Sequence, residues 1–492
     1  MNRLFLPTLM AAAALVGCAT TASPASPVSP VSPVSPPLAV ALAADTGAWQ
    51  APLPHGGRGA ELANWWRGFD DPLLPGLIDA AQAASPSLSS ARARIERARA
   101  TLVASDAVAR PRLDAVATAQ RARSVPEAPA TSNAALGVQA AWEIDLFGGI
   151  AAGQRASAQR LRGAEAGWHE ARVSLAADLG TVFVNLRGCE AQLQQAQADA
   201  ASREATARLT SQSAAAGFTA PADAALVRAS AAQARSQVRA QQAQCDTLIK
   251  ALVELTDRPE PALRQQLAAH TARLPQAAGL ATLALPAQLL QQRPDLAAAS
   301  AAVQAAAADV AAARADERPR LSFAGSLQLA GLRSGGVSTD GSVWSIGPLQ
   351  LSLPLFDGGS RRAATAAQVA AYDEAVAQLQ GSVRRALREV ETALVALDST
   401  AARERDVMAA ATDFEVSLTA TEARQRSGLA SLLDLEAARR NALLARSAVI
   451  ELQRERAAAW VALYRSLGGG WTPAEAVAAA LNQNPPTPSV RP

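Results

Sequence analysis

The chain has 492 residues, of which 18% are charged, and its formal net charge of +3 is too small to favour binding to nucleic acid. Its three histidines, His55, His169 and His270, lie far apart, and its three cysteines show neither metal-ligand spacing nor a catalytic context. Composition therefore argues against an enzyme or a metalloprotein, and we expect no metal and no bound cofactor.

The N-terminus has the features of an export signal. Arg3 precedes an apolar stretch at 4–16 that is too short to cross a membrane as a mature helix, so we predict a signal peptide at 1–17. The stretch ends in Leu15-Val16-Gly17-Cys18, which resembles the lipobox of bacterial lipoproteins. That resemblance implies cleavage before Cys18, acyl chains such as palmitate on its thiol and amine, and sorting to the outer membrane. An ordinary buried cysteine is the alternative.

Proline-rich segments flank the body of the chain. Residues 23–37 repeat Ser-Pro-Val, and proline removes backbone donors and fixes φ. We therefore predict that 18–60 is a lipid anchor followed by a semi-extended tether. At the other end, 468–492 is predicted to be a short packed segment and a disordered tail.

Between these segments the sequence is a tandem duplication. Residues 86–113 align without a gap with 294–321, and both segments end in Arg-Pro-Arg-Leu. Further on, 217–228 align in the same way with 428–439. Both halves therefore carry the same elements in the same order. We assign a first repeat to 61–256, a linker to 257–286 and a second repeat to 287–467.

Each repeat contains a long helix with a heptad-like seam. In the first repeat it is predicted over about 151–216, and the seam residues are Leu175, Leu179, Val182, Leu186, Cys189 and Leu193. Such a helix would span roughly 99 Å at about 1.5 Å per residue. The helices predicted at about 76–110 and 221–256 would match that length when stacked end to end. This arithmetic favours a helical cylinder, although a soluble helical bundle has the same periodicity.

Four segments alternate between apolar and polar residues with a period of two, which is typical of β-strands. They lie near 112–121, 136–146, 320–330 and 343–355. Strands of about ten residues with one apolar face suit an outer-membrane barrel, and a soluble sandwich is the alternative. Because spanning barrels begin at about eight strands, closure would require two or three chains. The loops at 122–135 and 331–342 would then face the cell exterior.

Two of the cysteines are predicted to meet. In an antiparallel hairpin that turns near Phe218, Cys189 and Cys245 lie within about one helical turn of each other, and both lie on apolar seams. In an oxidising compartment we expect a disulfide between them, with two packed free thiols as the alternative.

Several motifs, in order along the chain, together resemble a known family. They are Trp65-Trp66-Arg67-Gly68-Phe69-Asp70-Asp71-Pro72-Leu73, Trp142-Glu143-Ile144-Asp145-Leu146-Phe147-Gly148-Gly149, Leu285-Pro286 with Arg293-Pro294-Asp295-Leu296, Leu353-Pro354-Leu355-Phe356-Asp357-Gly358-Gly359 and Leu467-Gly468-Gly469-Gly470-Trp471. Over about 61–471 the chain is similar to the TolC-like outer-membrane factors, in the lipoprotein branch paired with resistance-nodulation-division transporters. One departure is Ser300, where the family usually has glutamate.

The resemblance implies an α+β membrane protein that forms a homotrimer. Three chains would build a twelve-stranded β-barrel in the outer membrane and a helical α-barrel in the periplasm. Residues 257–286 and the stretch after about 466 would form an equatorial belt around the helices.

The resemblance also implies a gate at the helical tips. The turns at Gly217 and Gly428 would form the periplasmic entrance, closed at rest and opened when an adaptor docks. One carboxylate of the family's constriction matches Asp434, and Asp223 is its mate in the first repeat; the family's second tip carboxylate is Ala437 here. Ser431 to Asp434 also has the pattern of a capping box, so a helix cap is the alternative role for Asp434.

The function implied is a passive exit duct of a tripartite efflux pump for drugs or other small compounds, with a role in multidrug resistance. Its partners would be a periplasmic adaptor and an inner-membrane pump. A channel for type I protein secretion shares the fold and is the first alternative. A structural coiled-coil lipoprotein is an alternative of a different class, although it would have no use for the alternating strands.

Overall fold

The computed structural model describes residues 62–123, 125–127, 129–276 and 293–471. The predictions for Cys18, the tether, the tail and the Leu285-Pro286 motif lie outside these residues. In chain order the elements are a 3-10 helix (Leu62–Phe69), α1 (Leu73–Ala84), α2 (Pro86–Val108), β1 (Arg112–Ala122), β2 (Thr131–Ile144), α3 (Gly149–Ala215), α4 (Pro221–Thr256), α5 (Glu260–Ala268), α6 (Pro294–Ala315), β3 (Arg320–Ser334), β4 (Val337–Ser352), α7 (Ser360–Arg426), α8 (Leu432–Ser466) and a 3-10 helix (Gly468–Gly470).

The two long helices, α3 and α7, each contain 67 residues and so extend for roughly 100 Å. Each starts after a glycine in the left-handed conformation, Gly148 at φ 74° and Gly359 at φ 89°. A preceding aspartate accepts hydrogen bonds from amides at the helix start, Asp145 from Ala151 and Asp357 from Gly359 and Arg361. The repeated Gly-Gly motif thus marks the strand-to-helix turn in both halves.

The single helix predicted over 76–110 is wrong, because the structure divides it between α1 and α2. Ser85 is extended there, at φ −66° and ψ 120°, and its hydroxyl accepts a hydrogen bond from the Leu88 amide at 3.3 Å. Pro86 follows as the first helical residue. A residue before proline is disfavoured in the helical region, so α1 has to end at this point.

The shorter helices flank the long ones. α3 packs against α2 and α4 of its own repeat and against α6 and α8 of the second, while α7 packs against α6 and α8. By length and composition α6 is apolar enough to cross a membrane. Its Leu296 and Val303 are fully buried, however, in a cluster with Leu379 and Val383 of α7. Packing between helices therefore accounts for part of its apolar character.

The largest apolar cluster lies where the ends of the short helices meet the middle of the long ones. Its members come from both repeats and include Trp65, Phe69, Leu77, Phe183, Leu263, Trp460 and Tyr464. The predicted belt segments contribute Leu263, Leu267 and Leu467. The 3-10 helix Leu62–Phe69 and α1 also contribute residues, which the sequence did not predict. We call this region the belt cluster.

A fully buried arginine joins three parts of the belt cluster. Arg187 of α3 lies 3.6 Å from the Asp71 carboxylate and 2.9 Å from that of Glu190, and it donates to the Leu267 carbonyl at 3.1 Å. Its guanidinium also lies 4.9 Å from the centre of the Phe183 ring. A buried charge has to be paired to be tolerated, so Arg187 ties the N-terminal segment and α5 to the long helix.

The four strands form one antiparallel sheet in the order β1-β2-β3-β4. Three bounds differ most from those predicted: β2 begins at Thr131, β3 continues to Ser334 and β4 begins at Val337. The loops predicted at 122–135 and 331–342 are therefore too long, and only residues 335–336 separate β3 from β4. Ten large apolar side chains that share one face by pairing register are solvent-exposed in the single chain: Leu113, Leu136, Val138, Trp142, Leu327, Leu329, Trp344, Ile346, Leu349 and Leu351. An exposed apolar face of this size indicates contact with lipid or another chain.

A bulge in β4 keeps that face continuous. Leu349 pairs with Phe323 and Ile346 with Gly325, so two residues of β4, Gly347 and Pro348, oppose the single Ala324. The extra residue shifts the alternation by one. Trp344 and Ile346, at even positions, therefore lie on the same face as Leu349 and Leu351, at odd positions.

Candidate functional site

The two helical turns have the same backbone geometry. Gly217 ends α3 at φ 81° and Gly428 ends α7 at φ 76°. The following amide bonds back to the helix in each, Phe218 to the Ser213 carbonyl at 2.9 Å and Leu429 to the Arg424 carbonyl at 2.8 Å. This is the Schellman arrangement, in which a glycine satisfies the last carbonyls of a helix. We call 213–223 the first tip and 424–434 the second tip.

Asp434 forms the capping box at the second tip. Its amide donates to the Ser431 hydroxyl at 3.1 Å, and its carboxylate accepts from the Ser431 amide at 2.9 Å. The hydrogen bond from the Ser431 side chain, followed by that from the Ser431 backbone, holds the pKa of Asp434 below its ordinary value of 3.8. Its carboxylate is solvent-exposed and ionised at neutral pH, so one residue has both the geometry of a cap and the exposure that a constriction requires.

Asp223, the mate of Asp434, has different surroundings. It lies in the first turn of α4, is exposed, and makes no side-chain hydrogen bond or ion pair with another described residue. The N-cap position holds Ala220, which offers no side-chain acceptor, and Pro221 follows it. The first tip is closed instead by a 2.6 Å hydrogen bond between the Ser213 and Thr219 hydroxyls.

Large apolar side chains project from both tips. Phe218 is 86% exposed and Leu429 is 78% exposed, and Leu433 in the first turn of α8 is also exposed. A packed helical turn has no intrinsic need for apolar residues at such positions. Their clustering at one end of the helical body indicates a contact surface.

A network of charged side chains joins the two hairpins behind the tips. Arg203 of α3 bonds to Asp199 of its own helix at 2.8 Å and to Glu436 of α8 at 2.7 Å. Ser230 of α4 donates to the same Glu436 oxygen at 2.7 Å. Arg439 of α8 lies 3.3 Å from Glu436.

Arg439 extends this network to the remaining helix. It donates to the Thr206 hydroxyl of α3 at 2.9 Å and lies 3.5 Å from the Glu422 carboxylate of α7. Arg203 and Glu436 are about 15% exposed and Arg439 is 8% exposed. Water screens such pairs less than it screens surface ones. We call Asp199, Arg203, Thr206, Ser230, Glu422, Glu436 and Arg439 the hairpin network; its partners are too distant in sequence to have been predicted.

The predicted cysteine pair is joined in the structure. Cys189 of α3 and Cys245 of α4 form a disulfide with their Cα atoms 5.6 Å apart. It closes a loop between positions 56 residues apart and lies within the belt cluster, so it constrains the first hairpin at its end farther from the tip. The second hairpin contains no cysteine.

Within the described part of the chain, no group of three or more His, Cys, Asp or Glu side chains is arranged to hold a metal ion. A cavity of about 450 Å³ beside the belt cluster is lined by Trp66, His169, Arg172, Tyr464 and Trp471, among others. Burial, with a smaller effect from Arg172, lowers the pKa of His169 to about 4, so this imidazole is neutral at physiological pH.

Comparison with known proteins identifies relatives over most of the chain. The family described as outer membrane efflux protein matches residues 77–258 and 285–469. The outer membrane protein OprJ of Pseudomonas aeruginosa is 30% identical over 423 residues, which cover 84% of this chain and 88% of the relative. The pyoverdine export outer membrane protein OpmQ of the same species is 26% identical over 428 residues, which cover 84% and 88%.

Solved structures show the same architecture. The outer-membrane channel OprN superposes with a TM-score of 0.78 and 28% identity, covering 87% of this chain and all of that one. A membrane protein from Pseudomonas aeruginosa superposes with a TM-score of 0.74 and 29% identity, covering 86% and 98%.

Proposed function

Because this chain belongs to the outer membrane efflux protein family and is an outer-membrane channel of an efflux pump, we propose that it is a passive exit duct for drugs or other small compounds. The observation that carries the proposal is the four-stranded sheet, which exposes an apolar face and lies at the opposite end of the long helices from the two tips. An open sheet has free edges at β1 and β4, and a membrane tolerates no unpaired strand edge. Three chains would pair these edges into a closed wall of twelve strands.

Gating is assigned to the tips. The hairpin network lies behind them, since Glu436 and Arg439 are about two to three helical turns beyond Gly428. It connects α3 and α4 to α7 and α8, so the second hairpin cannot swing outward alone without breaking charged contacts. In a closed trimer, the exposed carboxylate of Asp434 would then lie at the constriction.

The apolar tip residues Phe218, Leu429 and Leu433 are assigned to docking of the periplasmic adaptor. Contact with a partner would bury side chains that the single chain leaves in water. The same contact would supply the free energy needed to separate the hairpins. An inner-membrane pump would complete the tripartite assembly.

The anchor is assigned to Cys18 on the lipobox pattern of Leu15-Val16-Gly17-Cys18. An acylated cysteine would hold the N-terminus at the membrane in addition to the barrel wall. Mass spectrometry of the N-terminal peptide checks this, because an unmodified thiol at Cys18 in the mature protein would contradict it.

The test of the duct is conductance together with copurification. The full-length protein, reconstituted in a planar bilayer, is expected to form channels of a single size class at the stoichiometry of a trimer. Crosslinking in cells is expected to recover an adaptor and an inner-membrane transporter with it. A protein that never conducts contradicts the channel, whereas recovery of a secretion ATPase in place of a drug or solute transporter favours type I secretion.

The gate is tested at Asp434. Replacing Asp434 with Ala is expected to raise single-channel conductance, because it removes both the carboxylate and half of the capping box. Asp223→Ala is the matched control in the first tip. If Asp434→Ala lowers thermal stability and leaves conductance unchanged, Asp434 is a cap only.

A further inference from the structure

Arginines lie at both ends of the sheet, and the two ends differ in how the arginines are paired. Those at the end joined to the helices, Arg112 and Arg320, pair with Ala141 and Ser352 and so project to the face opposite the apolar one. At the end joined to the helices, Arg112 is paired with Asp114 at 2.7 Å and Arg320 with Asp316 at 2.7 Å. At the loop end, Arg121 of β1 and Arg333 of β3 are both exposed, and neither forms an ion pair with any other described residue.

The pairing register places these two arginines on the apolar face and in one row. Ser132 of β2 pairs with Arg121 on one side and with Arg333 on the other, and Arg333 pairs in turn with Ser338 of β4. Residues in one row project to the same face. Arg121 and Arg333 are two strands apart, so their Cα atoms are separated by about 10 Å. Two arginine side chains are long enough to reach a common ligand across that gap, and Ser132 lies between them in the row.

The height of this row matches the membrane interface. The apolar rows run from Leu321 to Leu329, and Arg333 lies about 41 Å along β3 from Leu321 at roughly 3.4 Å per residue. With strands tilted by about 40°, that is about 31 Å of height, against an apolar band of about 25 Å in an outer-membrane barrel. The arginine row therefore lies just beyond the hydrocarbon, at the depth of lipid headgroups.

The carboxylates nearby do not neutralise the row. Asp340 pairs with Gly331 one row closer to the membrane, and Glu127 lies in the loop between β1 and β2. Neither forms an ion pair with Arg121 or Arg333. Two unpaired guanidinium groups on a lipid-facing surface at headgroup depth favour a bound anion, and guanidinium binds phosphate with two parallel hydrogen bonds.

We propose that Arg121, Ser132 and Arg333 form a site on the outside of the barrel for the phosphate of an anionic outer-leaflet lipid. The site rests on the outer-membrane placement of the sheet described above, and it binds a component of the membrane rather than the exported compound. The lipid is a phosphorylated glycolipid such as lipid A, because its acyl chains would lie along the leucine-rich rows below while its phosphate meets the arginines.

Binding of diphosphoryl lipid A to the purified full-length protein in detergent tests the site. The variant Arg121→Gln with Arg333→Gln is expected to bind about thirtyfold more weakly than the wild type, because two interfacial arginines are lost. The control is Arg112→Gln with Arg320→Gln, which removes the same two charges from the other end of the same strands and from the opposite face of the sheet, and it is expected to bind as the wild type does. Asp340→Asn removes a nearby negative charge and is expected to tighten binding.

Two further measurements test whether the ligand is a lipid and whether its phosphate is the group that the arginines bind. Dephosphorylated lipid A is expected to bind the wild type and the Arg121/Arg333 variant alike, and inorganic phosphate is expected not to compete. Equal binding of diphosphoryl lipid A by wild type and variant, or competition by inorganic phosphate, overturns the lipid site. Single-channel conductance of the variant is expected to stay at the wild-type value, so loss of lipid binding is separable from failure of the channel.

Discussion

The first and second tips turn on left-handed glycines with the same hydrogen bonds, yet different contacts hold the two hairpins. The first hairpin contains the Cys189–Cys245 disulfide, which lies away from its tip. Its α4 begins at Pro221 and has no side-chain cap at Ala220. The second has no cross-link and a complete capping box between Ser431 and Asp434. The first hairpin is therefore constrained covalently, whereas only non-covalent contacts hold the second. On the proposed gating mechanism, we therefore expect the second hairpin to be the one that moves.

Removing the disulfide should have the largest effect. A closed loop between positions 56 residues apart contributes about 4 kcal/mol on the chain-entropy model. The variant Cys189→Ala with Cys245→Ala is expected to melt at a lower temperature, and a reductant should lower the melting temperature of the wild type but not of the variant. Hydrogen exchange should locate the loss in α3 and α4. Equal destabilisation of α7 and α8 would contradict a constraint confined to the first hairpin.

Breaking the hairpin network should have the second-largest effect on stability. Glu436→Ala leaves Arg203 and Arg439 with fewer partners in a partly buried site, which should cost about 2–3 kcal/mol and favour an open entrance. Single-channel conductance is expected to rise. The control is Glu404→Gln on α7, which removes a more exposed contact with Arg456 inside the second hairpin and should cost less than about 1 kcal/mol. Wild-type conductance in Glu436→Ala would show that the network does not hold the hairpins together.

Removing the cap should affect the second tip alone. Ser431→Ala is expected to cost about 1 kcal/mol of local stability, because an amide at the start of α8 loses its acceptor. Faster hydrogen exchange in the first turn of α8 is the measurement. Asp223→Asn, in the corresponding turn of α4, should change exchange there little, since no described partner depends on its charge. Similar effects of the two changes would show that the tips are secured alike.

Installing a cap in the first tip should stabilise that tip, by less than removing the cap destabilises the second tip. Ala220 is already extended, at φ −63° and ψ 139°, and Asp223 is three residues further on, as Asp434 is from Ser431. Ala220→Ser therefore supplies the missing half of a capping box and should stabilise the tip by up to about 1 kcal/mol. Ala222→Ser, inside the first turn, is the control and should not stabilise it. No slowing of exchange in Ala220→Ser would show that Pro221 already provides what a cap would add.

The local features of the two tips could be predicted from the sequence, because each depends on residues that are close together in the chain. The glycine turns and the Ser431-to-Asp434 pattern each fit within a few positions. The pairing of Cys189 with Cys245 followed from the geometry of an antiparallel hairpin. The hairpin network could not be predicted in this way, because Arg203 and Glu436 are brought together only by the packing of two separate hairpins.

In the sheet and the N-terminal helices, too, the sequence predicted the elements but not all of their details. Alternation predicted the strands, but the bulge at Gly347-Pro348 became visible only from the pairing of β4 with β3, which places Trp344 on the leucine face. The helix predicted over 76–110 failed for a different reason. Periodicity alone continued through Pro86, whereas the rule that a residue before proline is disfavoured in the helical region would have indicated a break at Ser85.

Low pH should weaken the cap at the second tip, and this is the smallest of the expected effects. The folded-state pKa of Asp434 is depressed, so its contribution to the cap is complete above the unfolded value of 3.8 and is lost as the pH falls through the lower folded value. The difference in α8 exchange or conductance between wild type and Asp434→Asn is therefore expected to be constant near neutral pH and to shrink towards about pH 3. Asp223→Asn, in the first tip, is measured alongside as the control. A difference at the second tip that persists unchanged in acid would mean that the side-chain amide disturbs the tip by its shape, and that the charge of Asp434 contributes nothing to holding it closed.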